Sequence, residues 1–252
     1  MRFFALLLLL GLSGLVAGDD TTAKIAELHQ GVQEVYDVIV LPNGDVDYAT
    51  LHQRKDLQEK LEAFRTFMAG FDPDTLTDTN LKIALLTNTY NVYTLIGVNR
   101  AWPVKSVRKI RAMFGFFTKK EWQLNGRKVS LNNIEGEWLR PLDPRIHFTV
   151  NCASASCPRL DQQVYTADNV QQLMEAATKR FLLNENKNRF DAERKEWHLS
   201  KIFEWYRKDW GKQADVEAFI LKYLPEDKRF KPTRVFYLEY DWSLNGPTEP
   251  KG

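Results

Sequence analysis

The chain runs to 252 residues but holds only two cysteines and four histidines. That scarcity leaves no two Cys/His pairs at finger spacing, and a structural zinc wants four ligands. No metal or cofactor is therefore expected. Also missing is any charge excess. Residues 1–18 contain one of the 35 basic residues and none of the 33 acidic ones, so residues 19–252 are nearly neutral. No broad electrostatic footprint for nucleic acid is visible. After the first residues the sequence lacks repeats, Pro/Gly/Ser-rich linkers and low-complexity tracts, which makes residues 19–252 most simply one globular domain. Nor does it lack core material: 44% hydrophobic content suffices to bury a sizeable interior.

The one long apolar run is Phe3–Leu12, preceded by Arg2 and trailed by small residues at Ala17 and Gly18 before Asp19. This is the layout of a secretory signal peptide over 1–18, and the run is shorter than the roughly 20 residues of a spanning helix. No cysteine near the cleavage zone offers an acylated anchor. The expectation is an exported protein, periplasmic or extracellular, in a compartment where cysteines can pair.

Periodicity predicts an N-terminal helical region. Ile25, Leu28, Val32, Val35 and Ile39 recur at three- and four-residue steps, as do Leu51, Leu57, Leu61, Phe64 and Met68. A third helix carries Leu81, Ala84, Leu85, Val92, Leu95 and Ile96, interrupted by Asn88, Tyr90 and Asn91. Those buried amides would either orient a functional loop or satisfy loop backbone groups.

The middle of the chain reads as strands. Asn125-Gly126 is a hairpin turn signal. Ser130 or Asn132 can cap a short helix that Pro141 stops, and "RIHFTVN" alternates like a strand. A helix over about 167–183, a hairpin through "NRFDAERKEWHL", two further helices and a closing strand "RVFYLEYDW" complete an α+β pattern, with helices around a small, mostly antiparallel sheet. Trp205, Tyr206 and Trp210 at helical spacing read as core packing. Asp241 and Asn245 read as ties between the tail and neighbouring backbone.

Both cysteines and His147 fall within "RIHFTVNCASASCPRL". Cys152, in a loop of small residues, suits a thiol nucleophile if its thiolate is stabilised. His147 is the nearest base, and Glu135 can orient it, although spacing alone does not choose Glu135 over Glu137. On one straight strand, positions 147 and 152 would point to opposite faces, so the pairing needs a bend near Asn151. Otherwise His147 is a structural histidine. Cys157 admits a free thiol or a Cys152–Cys157 disulfide, and with His147 it supplies only part of a zinc site. His198 is a second base candidate that reads more simply as a surface position, and His29 and His52 read as solvated on amphipathic helices. The basic, apolar segment "VKSVRKIRAMFGFFTKK" could touch an anionic membrane surface.

Together, "ALLTNTYNVYTL", "KSVRKI", "SLNNIEGEWLRP", "DPRIHFTVNCASASCPRL", "YTADNV", "LSKIFEWYRKDWG" and "YDWSLN" resemble the domain-of-unknown-function family 547, over residues 46–245. The resemblance implies an exported bacterial stand-alone member; plant relatives attach the domain to coiled coils and lack the second cysteine and the histidine. The usual form near "NCGAxSCP" is here "NCASASCP", which alters Ala153 and Ser154 and keeps both thiols. A distant likeness to papain-like and transglutaminase-like hydrolases implies Cys152, His147 and Glu135 as nucleophile, base and orienter. Amides of Ala153 to Ser156 would then hold the oxyanion, and the substrate would be a peptide or other amide. The alternative is a non-catalytic binding or scaffold domain closed by a Cys152–Cys157 disulfide.

Overall fold

In a computed structural model the backbone is described for residues 13–248 and the side chains from residue 20. The apolar run Phe3–Leu12 lies outside the described residues. Helices α1 (Ser13–Ile39), α2 (Tyr48–Gln53), α3 (Lys55–Gly70) and α4 (Thr79–Ala101) build the N-terminal part. Their starts obey local chemistry. Asp47 caps α2 by accepting from the Thr50 amide, and Asp78 caps α4 by accepting from the Asn80 and Leu81 amides.

Helix α4 is the centre of the main core: Ile83 to Val98 are all buried, polar residues included. That is tolerable because the amides have partners. Asn88 donates to the Tyr165 carbonyl (2.7 Å) and accepts from the Tyr165 amide (3.2 Å). Asn91 donates to the Thr149 carbonyl (3.1 Å) and accepts from the Asn151 amide (2.8 Å). Gly97 is there because nothing larger fits: a Cβ would sit 2.6 Å from a ring carbon of Phe116.

Next come α5 (Gly115–Thr118) and the hairpin β1 (Trp122–Leu124) to β2 (Arg127–Val129). Its Asn125-Gly126 turn has positive φ at both residues, 51° and 68°, as a tight two-residue hairpin demands. Ser130 then caps α6 (Leu131–Asn133) in a reciprocal capping box with Asn133. The helix continues as a π-helical turn over Ile134–Leu139 that carries Glu135.

The segment read as a strand, "RIHFTVN", is instead a 3-10 turn over Pro144–Phe148. Asp143 caps it by accepting from the Arg145 amide (2.8 Å), and Pro144 supplies a helical φ at the first position. Alternating Ile146, Phe148 and Val150 still bury their side chains, but into two cores. Ile146 and Val150 join the main cluster, whereas Phe148 joins a second one with Phe181, Trp197, Phe203 and Ile220. Burying Phe148 contributes about 2–3 kcal/mol, and it holds His147 at the seam.

The second cluster is enclosed by α7 (Val170–Leu182), β3 (Arg189–Asp191), β4 (Glu196–Leu199), α8 (Lys201–Trp205), α9 (Gln213–Tyr223) and β5 (Arg234–Tyr237). Strands β3 and β4 pair antiparallel and β5 joins β4 in parallel. The described structure is thus α+β, with two small sheets and antiparallel pairing in two of its three strand pairs. Among the described residues no helix is long and apolar enough to cross a membrane.

His29, read as solvated, is buried on α1 within 3.0 Å of Asn88, and burial pushes its pKa down to about 4. His52 is exposed and lies 3.1 Å from Asn99 Oδ1. His198 is half-buried on β4, 3.5 Å from Glu196.

Candidate functional site

The cysteine loop is shaped by Asn151. Its side-chain oxygen accepts from the Ala153 amide (2.9 Å), forcing a tight turn in which Ala153 takes φ +60°. Its Nδ2 donates to the Pro158 carbonyl (2.8 Å) and its own amide is held by Asn91. The tail closes over the loop. The amides of Ala155 and Ser156 donate to the carbonyls of Ser243 (2.8 Å) and Asp241 (3.1 Å), and the Asn245 amide donates to the Ala153 carbonyl (3.1 Å). From the far side Lys187 Nζ donates to the carbonyls of Ala155 and Cys157. Asp241 and Asn245 thus make the backbone ties read from the sequence.

Both thiols are free. Cys152 Sγ is 3.0 Å from Ser154 Oγ and 3.4 Å from the Tyr240 hydroxyl, while the Cys152 amide donates to Cys157 Sγ (2.9 Å). Burial pushes the Cys152 thiol up, but hydrogen bonds with Cys157, Ser154 and Tyr240, and from the Ser154 amide, outweigh it and bring the pKa down to about 7. Burial and the contact with Cys152 drive Cys157 well above the usual thiol range. Of the pair, Cys152 is the one that ionises near neutrality.

His147 is nearly inaccessible. Its Nε2 donates to Asp209 (2.7 Å) and its Nδ1 faces Glu135 at 3.4 Å. Tyr206 stacks on the ring at 4.2 Å between centroids. Arg140 grips Asp209 with two hydrogen bonds, of 2.6 and 2.7 Å. Burial lowers the imidazole pKa, but the bonds to Asp209 and Glu135 and their charges exceed that effect and raise it. Burial likewise works to raise Asp209, yet Arg140 and His147 hold its carboxyl far below the usual range. The unit is an ion-pair chain, Glu135–His147–Asp209–Arg140.

Cys152, His147 and Glu135 line one cavity of about 370 Å³. Its walls are Phe114, Phe117, Trp205, Tyr206, Tyr240 and Trp242, with Tyr90 behind them. The Glu135–His147 pairing expected from the sequence is present. No hydrogen bond joins His147 to Cys152, because carboxylates face both ring nitrogens. The oxyanion amides expected at Ala153 to Ser156 are already engaged, by Asn151, Cys152 Sγ, Ser243 and Asp241 in turn. The hydroxyls of Tyr240 and Ser154 face the sulfur, and Ser154 Oγ also donates to the Tyr240 hydroxyl (3.2 Å). Burial and the neighbouring thiols keep the Tyr240 hydroxyl protonated by pushing its pKa well above the usual phenol value.

Reading Trp205, Tyr206 and Trp210 together as core needs correction. Trp210 does pack against Phe148 and Phe203, but Trp205 is 47% exposed at the cavity mouth and Tyr206 forms its wall. Short α8 ends at Trp205, and the chain turns through a 3-10 segment before Gly211 (φ +111°), so helical spacing does not continue across the three aromatics. The sequence reading missed Asp209 and Tyr240. Asp209 lies 62 positions from His147 with no motif to link them, and Tyr240 is masked by an aromatic-rich tail. Among the described residues no cluster of three or more His, Cys, Asp or Glu side chains is arranged to hold a metal ion.

Fold and cavity together define an α+β protein with a low-pKa thiol in an aromatic pocket beside a buried histidine held between two carboxylates. Residues 73–182 match the family model described as "Protein of unknown function, DUF547". The matched segment carries Glu135, His147 and both cysteines. This match is shorter than the 46–245 span of the sequence resemblance; Asp209, Trp205, Tyr206, Tyr240 and Trp242 lie beyond it. No curated protein and no solved structure matches the chain.

Proposed function

We propose that the protein is a cysteine-dependent hydrolase of amide or peptide bonds, acting on substrates with an apolar or aromatic group next to the scissile carbonyl. The observation that carries this reading is the shared cavity: a thiol that ionises near neutrality, an imidazole whose pKa is raised by its carboxylate partners, and one of those carboxylates all line one aromatic-walled space large enough for a small ligand. The likeness to papain-like hydrolases rests on Glu135, His147 and Cys152 alone.

In this scheme the Cys152 thiolate attacks the carbonyl carbon, and the carbonyl π pair moves to oxygen. The hydroxyls of Tyr240 and Ser154 take the oxyanion role, since the loop amides are spent. Collapse expels the amine, which takes the proton that His147 Nδ1 gives up, relayed through Glu135. That route is favoured over direct transfer because both His147 nitrogens face carboxylates, while Glu135 also lines the cavity. Water then attacks the thioester, giving its proton to the Glu135–His147 pair as the thiolate leaves. The proposal includes export with loss of residues 1–18, which N-terminal sequencing of the cell-derived protein would check: the first residue should be Asp19.

The test is trapping. Incubation with small aromatic acyl anilides and mapping by mass spectrometry should find the acyl group on Cys152, with turnover absent in Cys152→Ala and retained in Cys157→Ala. Turnover that survives Cys152→Ala would end the proposal. A second reading, a binding domain closed by a Cys152–Cys157 disulfide, draws on the 2.9 Å approach of Cys157 Sγ to the Cys152 amide. Alkylation of both thiols without reductant would sink it.

A further inference from the structure

The loop at the cavity mouth has a surface the hydrolase scheme does not use. Met113 is 93% exposed and Phe114 40%, and with Trp205 they make up three of the five large apolar side chains exposed among the described residues. They are joined: Phe114 packs edge-on against Trp242 (5.1 Å between centroids), and Trp242 stacks with Trp205 (5.7 Å). Both Met113 and Phe114 sit in left-handed backbone, φ 51° and 57°, a conformation that non-glycine residues rarely adopt even singly. The chain is held strained with methionine pointing into water.

The same loop is cationic. Residues 104–120 include no Asp or Glu, and Lys105, Arg108, Lys109, Lys119 and Lys120 are all exposed. Arg108 lies over the Phe114 ring at 5.1 Å. Among the described residues, Arg111 alone of the loop's cations has a carboxylate partner, Glu121. An apolar tip with an aromatic belt and a basic collar is the composition that partitions into the headgroup region of an anionic bilayer.

We infer that the loop of residues 105–120, with Trp205 and Trp242, docks the protein on an anionic phospholipid surface, the Met113–Phe114 tip inserted and the basic side chains among the headgroups. Because Phe114 belongs to both the tip and the cavity wall, docking sets the cavity mouth against the lipid. A soluble acidic protein is the competing occupant. The inference stands apart from the catalytic proposal, since neither Cys152 nor His147 takes part in docking.

The experiment is co-sedimentation of the full chain with phosphatidylcholine vesicles, with and without one third phosphatidylglycerol. Binding should require phosphatidylglycerol and fall as salt rises above roughly 0.1 M, where screening shortens to about 10 Å. Neutralising Lys109, Lys119 and Lys120 to glutamine should weaken it by about fivefold per charge. Met113→Asp should weaken it at least as much as one lysine; at 93% exposure this substitution disturbs no packing, and unchanged near-ultraviolet circular dichroism would verify that. Equal binding by the wild type and Met113→Asp would overturn the inference, because the contact would then lie elsewhere, for example in residues 1–18. So would absence of vesicle binding together with capture of a soluble acidic protein through the same lysines.

Discussion

Replacing Asp209 by asparagine keeps its shape and removes the charge between His147 and Arg140. The side chain is 12% exposed and that of His147 1%, so the lost interaction is a buried one, whereas Arg140 at 32% is partly relieved by water. Breaking a buried pair from one side costs about 3–5 kcal/mol, and the access of Arg140 to solvent places the expectation near the lower end, about 3 kcal/mol. The pH dependence comes from the two partners. Asp209 has a depressed folded pKa, so its contribution is present above the unfolded carboxylate value of about 3.9 and is lost as pH falls below it. His147 has a raised folded pKa, so its contribution is full below about 6.5 and is lost as pH rises through the folded value. The difference between wild type and Asp209→Asn should therefore peak between about pH 4 and 6.5. At alkaline pH it should fall to the part owed to Arg140, which stays charged. Urea unfolding across pH, monitored by tryptophan fluorescence, measures it. A difference that does not decline at any pH above about 6.5 would refute the charged-histidine account.

Three other outcomes are expected. Alkylation of Cys152 should reach half its maximal rate near pH 7, and Tyr240→Phe should move that midpoint upward by removing a hydrogen bond that lowers the thiol pKa; an unmoved midpoint would remove Tyr240 from the account. Asn91→Ala should destabilise the fold by about 2–4 kcal/mol, because the Thr149 carbonyl and the Asn151 amide both lose their partner; a loss below about 1 kcal/mol in chemical denaturation would mean water replaces it. Gly97→Ala should cost about 1–3 kcal/mol, since the added methyl meets the Phe116 ring; calorimetry would register an unchanged melting temperature if α4 and α5 can instead move apart.

Most of the architecture is legible where the signal is local. The three- and four-residue steps in α1 and α3 correspond to buried stripes, whereas α4 is buried all round from Ile83 to Val98; Asn125-Gly126 and "NRFDAERKEWHL" both form their hairpins. What misleads is alternation without a partner strand: Ile146, Phe148 and Val150 alternate because the 3-10 turn feeds two cores, and Asp143-Pro144 signals that turn. His29 is misjudged because its partner, Asn88, is 59 positions away, and a histidine's burial depends on what faces it. At the site, the small-residue loop around Cys152 and a nearby carboxylate partner for His147 can be anticipated, but choosing Glu135 over Glu137 takes the fold. Asp209, Tyr240 and the prior engagement of the loop amides cannot, since each depends on a fold-level contact with a distant segment.

The tail's hold on the cysteine loop means that similarity and self-sufficiency end at different places in this chain. A fragment cut to residues 73–182 would keep both thiols, His147 and Glu135, yet expose the amides of Ala155 and Ser156 and strip Asp209 from the imidazole. Its cysteine would lose the Tyr240 hydroxyl and its loop the anchoring ammonium of Lys187. For expression or chimera building, the smallest useful unit reaches Asn245, where the last strap from the C-terminal tail meets Ala153 and Asn151.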